Sequence, residues 1–271
     1  MKEDLRVSVI QMEARCGETE CNLRRIAFFA AQARHRGSAL ACFPECALTG
    51  YSPKNAGALA LPADGKECRY LEGLARLHAI TLLVGMIERG RGKPYLTQMV
   101  FGPRGLIGRY RKTHLGARER EYFAPGDGTP VFHTPKADIG VELCWDAHFP
   151  GLSFALSRKG AEILFVPHAA PQRAGARETI WNRYLPARAY DNRVYLCACN
   201  LCGENGQGTQ FGGGLLIAGP DGEIMAQRYS PTAGMLTATL SADMLNRYRA
   251  DGDGEMESRF FPAFARVELY D

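Results

Sequence analysis

The sequence predicts an α/β domain, and two observations carry that reading. Short β-branched or apolar runs alternate with longer amphipathic runs through the first two-thirds of the 271 residues, the order expected when helices connect the strands of a sheet. No repeat, low-complexity linker or break in composition divides the chain, so residues 1–271 read as a single domain.

The elements follow in order. Residues 6–12 read as a strand. A helix from about Glu20 to Arg36 places Leu23, Ile26, Ala27 and Ala30 at helical spacing, with Gly37 to stop it. Residues 38–45 form the next strand, ended by Pro44 just before Glu45, because proline donates nothing to a ladder. A second helix over 69–79, with His78 on its surface, precedes a strand over 80–88. Residues 94–115 are two strands joined by the Gly-Pro-Arg-Gly turn. The alternation resumes with a strand over 138–145, a helix over 149–160, a strand over 161–170, a helix over 176–192 and a strand over 193–200. A hairpin over 212–227 turns on Pro-Asp-Gly. From about residue 247 to 271 the pattern is less regular and reads as an arm.

Bulk properties narrow the function. Hydrophobic residues make up 46% of the chain, and Lys plus Arg exceed Asp plus Glu by only 33 to 29. The basic residues are scattered, which argues against a nucleic-acid partner. No apolar run approaches the length of a membrane span, and the charged start lacks a signal-peptide core, so a cytoplasmic protein is expected. Nine cysteines, an odd number, point to free thiols. Cys199 and Cys202 form one Cys-x-x-Cys pair beside Cys197. No second pair completes a zinc set, so packing is the expected role.

Three strands end on a reactive group: Glu45, Lys112 and Cys144. Carboxyl ends of strands in α/β sheets are where functional groups collect. A thiol can attack a carbonyl or nitrile carbon, a carboxylate can move protons, and an ammonium can stabilise an oxyanion. A neighbouring Lys also favours the thiolate. Taken singly, each has a plainer reading: a loop carboxylate, a solvated strand-edge cation and a buried core thiol.

Together the motifs resemble the nitrilase superfamily of carbon–nitrogen hydrolases. The resemblance rests on FPECALTGY (43–51), YRKTHLGARERE with YFAPGD (110–127) and GVELCWDAHFPGLSFALSRKGAEILFVPHAA (140–170). It continues through LPARAYDNRVYLCACN, the GGGLLIAGPDGEIMA hairpin and the terminal RFFPAFARVELYD. It implies a four-layer α-β-β-α sandwich of two mixed sheets with outer helices. It also implies a general base at Glu45, an oxyanion-stabilising cation at Lys112 and a nucleophile at Cys144. A second catalytic Glu falls on Glu119 or Glu121, with Glu119 at the expected spacing before Phe123, where it would hold Lys112 and the substrate amino group. The Trp145 backbone N–H would complete the oxyanion site. No metal or cofactor is implied.

The chain departs from the family pattern at Gly151, at His168 in VPHAA and at the Gly-Gly-Gly of the hairpin. Tyr51, Trp145, His148 and His168 are the expected substrate-binding residues, with Trp181 a further candidate wall. Arg173 and Arg177 could receive a substrate carboxylate or face solvent. Cys-Trp-Asp resembles the amidase and N-carbamoyl amino acid hydrolase branches, which suggests a small-molecule amide or N-carbamoyl substrate. Nitrile hydrolysis by the same triad is the alternative. From other classes, a silent scaffold would be expected to have lost one of the three groups, and a papain-like protease would carry its Cys near the start of the chain. The family pairing implies a homodimer or dimer-based oligomer, with the contact expected at the helix over 181–192 and the C-terminal arm.

Overall fold

Strand β1 (Leu5–Gln11) shows how one sequence period builds two cores. Val7 and Val9 face one side while Ile10 faces the other, and all three are fully buried. Alternation in a pleated strand sends successive side chains to opposite faces, so a sheet buried on both faces reads as nearly continuous apolar sequence. The computed structural model describes residues 1–173, 175–250 and 259–269.

Helix α1 (Thr19–His35), strand β2 (Leu40–Cys42), α2 (Ala56–Leu59), α3 (Lys66–Leu77), β3 (Thr81–Glu88), β4 (Tyr95–Gly102) and β5 (Gly105–Arg111) follow. The second half holds α4 (Glu119–Tyr122), β6 (Phe132–His133), β7 (Asp138–Val141), α5 (Pro150–Arg158), β8 (Ile163–His168) and α6 (Ala176–Asn192). It continues with β9 (Tyr195–Asn200), β10 (Cys202–Glu204), β11 (Gln210–Gly212), β12 (Leu215–Ala218), β13 (Ile224–Arg228), β14 (Gly234–Leu240) and α7 (Ala242–Arg249). One six-stranded sheet runs β14-β1-β2-β3-β4-β5, a second runs β13-β12-β9-β8-β7-β6, and β10 pairs with β11 apart from both.

The expected four layers are present. Val7, Leu40, Leu83, Leu96 and Val100 of the first sheet meet Ile139, Val141, Phe165, Cys197 and Ile217 of the second in the central core. Outside the first sheet, Ile26 and Ala30 of α1 and Leu71 and Ala75 of α3 cover Ala41, Leu82 and Val84. Outside the second, Trp181, Leu185 and Ala189 of α6 cover Val166, Leu196 and Leu216. Cys199 Sγ lies 4.0 Å from Cys42 Sγ across the central core, and all nine thiols are free. Packing therefore accounts for Cys197 and Cys199, as expected.

Several boundaries differ from the sequence reading. The strand expected over 38–45 is three residues long, because Pro44 turns the chain out of the ladder after Phe43 donates to Leu83 O. The strand expected to reach residue 145 ends at Val141. Strand β14 was not expected; it lies antiparallel to β1 in seven-residue register and closes that sheet's edge. The arm expected from about residue 247 overlaps α7, which begins at a Ser241 cap accepting from Met244 N and runs to Arg249. Residues 251–258 and 270–271 of that expected arm lie outside the described residues. Within the described part, Phe261 packs 5.7 Å from Tyr190 of α6 and beneath the Arg193 guanidinium. No helix among the described residues is long and apolar enough to cross a membrane.

Candidate active site

Strands β2 and β3 are parallel, and β5 runs the same way after two antiparallel steps. In the other sheet β7, β8 and β9 are parallel. The carboxyl ends of β2 and β5 are thereby brought against those of β7 and β8, and the three reactive groups follow those ends.

Glu45 stands on the turn after β2. Gly85 of β3 lies directly beneath that turn: a Cβ there would fall 2.4 Å from Pro44 O, 2.5 Å from Cys46 N and 2.7 Å from Glu45 Cα. Leu48 N donates to Gly85 O and Gln98 Nε2 to Phe43 O, fixing both ends of the turn. Glu45 is buried; its Oε2 accepts from Ala169 N at 2.9 Å, across the gap between the sheets. Burial raises its carboxyl to about 7, with the Lys112 charge opposing and Glu119 reinforcing the rise.

Lys112 follows β5 and is 1% exposed. Its Nζ donates to Glu45 Oε1 at 3.1 Å and to Glu119 Oε1 at 2.8 Å. Burial pulls its ammonium pKa down, but the neighbouring acidic groups, Glu45 foremost and Glu119 with it, outweigh burial and hold it well above its usual value. Glu119 is further held by the Tyr51 hydroxyl at 3.0 Å and by Gly116 N at 2.8 Å. Glu121 is exposed on the same short helix. The structure brings Glu119, not Glu121, onto the lysine.

Cys144 opens a single 3-10 turn, Cys144–His148, with a left-handed φ of +48°. A non-glycine residue in that region is strained and held by its surroundings. The anchor is Asp146, a buried residue whose importance the sequence did not show. Its Oδ2 accepts from Leu143 N at 2.9 Å and Tyr110 OH at 2.8 Å. Its Oδ1 accepts from His114 N at 2.8 Å and Thr113 Oγ1 at 3.1 Å. One carboxylate thus ties the cysteine turn to the chain on both sides of Lys112. The hydrogen bond to Asp146, ahead of opposing burial, raises the His114 pKa.

Lys112 favours the Cys144 thiolate in the expected direction but does not dominate. Burial is the larger effect and Glu45 and Glu119 add to it, pushing the thiol up to about 12. Sulfur keeps its proton until something takes it.

The expected pocket residues separate. Tyr51 is bound to Glu119. Trp145 is 45% exposed and packs 4.9 Å from His148, which lies 4.5 Å from Tyr184. His168 is buried at the end of β8, with Nδ1 2.8 Å from Val166 O and Nε2 3.5 Å from Tyr184 OH. Its ring lies 4.7 Å from Trp181. Burial, assisted by Arg177, lowers its pKa well below the usual value, so it is neutral. Tyr184 was missed, although it follows Arg177 and Trp181 at helical spacing on α6. Gly151 lies in the first turn of α5 with nothing within 4 Å of a Cβ, so a larger side chain would fit there.

An acid, an amine and a thiol at adjoining strand ends of a four-layer sandwich define an enzyme of the nitrilase superfamily. The chain belongs to the carbon–nitrogen hydrolase family, whose model matches residues 6–250, and is a hydrolase of non-peptide C–N bonds. A nitrilase of Pyrococcus abyssi is 32% identical over 82% of this chain and 84% of its own. The omega-amidase NIT2 of Xenopus tropicalis is 31% identical over 91% of this chain and 90% of its own. Among solved structures, a mutant amidase from Nesterenkonia sp. AN1 in complex with butyramide superposes with a TM-score of 0.83. That pair is 27% identical, covering 99% of this chain and 96% of the other. A second mutant of that amidase carries the acetamide moiety of fluoroacetamide on its active-site cysteine, again at TM-score 0.83 and 26% identity, over 99% and 96% of the chains.

Proposed function

We propose that the protein hydrolyses a small amide or N-carbamoyl compound through a thioester on Cys144. The observation that carries this reading is the buried Lys112 ammonium, held between Glu45 and Glu119 beside the Cys144 turn. A thiol near 12 and an acid near 7 leave the resting proton on sulfur. Transfer to Glu45 is therefore coupled to attack on the carbonyl carbon rather than preceding it. As the C–S bond forms, negative charge on the carbonyl oxygen is met by Lys112 and by Trp145 N–H, at the start of a turn where backbone donors are free to point outward. Glu45 returns its proton to the leaving nitrogen, and ammonia or an amine departs. Water then gives a proton to Glu45 and attacks the thioester, releasing acid and thiol. Glu119, fixed from three sides, holds Lys112 and the substrate amino group.

The amide and N-carbamoyl readings draw support from relatives named omega-amidase and N-carbamoylputrescine amidase. Ammonia release from aliphatic amides, ω-amides of dicarboxylic acids, N-carbamoyl amino acids and nitriles tests the proposal, with a Cys144→Ala variant alongside. Turnover that vanishes in the variant is expected. Turnover that survives it would overturn the thioester route. We further infer a dimer-based oligomer joined near α6 and the C-terminal arm, where Phe264 and Leu269 are exposed. Light scattering that shows only monomer at micromolar concentration would remove that inference.

A further inference from the structure

Residues Arg177, Trp181, Tyr184 and Arg188 of α6 follow at spacings of four, three and four, so they share one helix face. The others on that face have partners: Trp181 rests on His168, Tyr184 lies beside His148 and His168, and Arg188 Nε donates to Ala147 O. Arg177 differs. Its side chain is buried, with the residue 7% exposed, its guanidinium 5.9 Å from the Trp181 ring and its Nε enclosed without a hydrogen-bond partner. It forms no ion pair among the described residues. Its charge acts on Cys144, His148, His168, Tyr184 and Tyr229, and the helix face it shares packs on His168 and His148 beside the thiol turn. Glu178, the next residue on the helix, is exposed and forms no ion pair with it, and Glu45 and Glu119 are held by Lys112.

Enclosing a guanidinium nitrogen without a partner is unfavourable, and such a group in a native protein calls for a functional explanation, of which an arriving anion is one. The hairpin provides the room. At Gly214, φ +136°, a Cβ would fall 3.2 Å from Arg177 Cγ and from two Trp181 ring atoms. Glycine there lets the arginine stem and indole lie against the backbone, and this is one of the positions where the chain departs from its family's pattern. A single guanidinium matches a single negative charge, and its planar fork matches a carboxylate.

We propose that Arg177 receives a substrate carboxylate, so that the favoured substrates are amides or N-carbamoyl compounds bearing a carboxylate at the end remote from the scissile bond. The proposal rests on the hydrolase reading above. It makes Arg177 a specificity-determining residue, with His168 and Tyr184 forming a neutral polar wall between it and Cys144.

The test compares two amides of equal length, succinamic acid and butyramide, which differ by a carboxylate in place of a methyl group. Each protein is scored by its ratio of kcat/KM for the acid over the neutral amide, so a general loss of folded enzyme cancels. The native chain is expected to favour the acid by about 100-fold. Arg177→Gln should bring the ratio to within about 10-fold of unity, chiefly through KM for the acid, whereas Arg177→Lys retains part of it. Gly214→Ala should also shrink it by displacing the arginine stem. A native ratio near one, or a ratio unchanged in Arg177→Gln, overturns the assignment while leaving the hydrolase reading intact. Failure to hydrolyse any amide or N-carbamoyl compound would instead sink the hydrolase reading and this assignment with it.

Discussion

Asp146 accepts a 2.8 Å hydrogen bond from the hydroxyl of Tyr110, joining the turn that carries Cys144 to the strand that delivers Lys112. Tyr110 lies on β5 of the first sheet and Asp146 on the turn after β7 of the second, and Asp146 also accepts from Leu143, Thr113 and His114. The spacing between the Cys144 turn and the Lys112 strand is set here, away from both side chains.

Asp146→Asn tests that clamp. The amide keeps the shape but turns one acceptor into a donor facing buried donors, which should destabilise the fold by about 3 kcal/mol. Tyr110→Phe removes the bond to Asp146 and the hydroxyl's 3.1 Å bond with Thr113 Oγ1, and should lower stability by about 1–2 kcal/mol. Thermal unfolding of both variants checks the order, and an Asp146→Asn variant as stable as the native chain would show that the clamp is dispensable.

Gly85→Ala should disturb Glu45 without touching it. The added methyl would fall 2.4 Å from Pro44 O and 2.5 Å from Cys46 N, backbone atoms that can yield only if the turn moves. A loss of about 1–3 kcal/mol is expected from such overpacking, together with a fall in kcat larger than any change in KM. Chemical denaturation and steady-state kinetics on the same preparation separate the two effects.

Those two positions show what could be read in advance. The reactive ends Glu45, Lys112 and Cys144 were legible because each is a reactive side chain directly after an apolar run. The four layers followed from a resemblance carried by long motifs. Asp146 and Gly85 were not legible in their roles, because a carboxylate accepting from a strand of the other sheet, and a glycine beneath another loop, are contacts between segments far apart in sequence. Strand β14 escaped notice for a related reason: its residues are mostly half-buried and lack the strong alternation of an interior strand. Arg177 was visible as a candidate, but only its burial separates it from an ordinary surface arginine.

Lys112→Met should leave Glu45 and Glu119 buried without their shared cation. Transition-state charge loses its partner, and kcat should fall by about 100-fold to 1,000-fold. Removing the lysine also removes the influence that lowers the Glu45 pKa, so that pKa rises further. The variant should therefore be least stable relative to the native chain at alkaline pH, where Glu45 would have to ionise, and the gap should narrow as pH falls. Unfolding midpoints from pH 5 to 9 read this directly.

Glu142 offers a pH prediction outside the reaction. It is fully buried two residues before Cys144, and its nearest polar neighbour is the Ser153 hydroxyl, which opposes the effect of burial without reaching full hydrogen-bond geometry. Burial raises its pKa from 4.5 to about 7. A raised acid favours the fold fully below its unfolded pKa, and that advantage is lost as pH climbs from 4.5 through 7. The loss is on the order of 3 kcal/mol. Glu142→Gln cannot ionise, so its stability should decline less between pH 5 and pH 8 than that of the native chain. Parallel declines would show that Glu142 is solvated or paired when ionised.

The proposed reaction requires Cys144 to form a covalent acyl intermediate. The most direct measurement is acid quench of the enzyme during turnover of an amide substrate, followed by intact-mass and peptide mass spectrometry. The account predicts an added mass equal to the acyl group, located on the peptide that carries Cys144, absent from Cys144→Ala and lost on treatment with hydroxylamine. Continued turnover by Cys144→Ala, or an acyl group found on another residue, would contradict it.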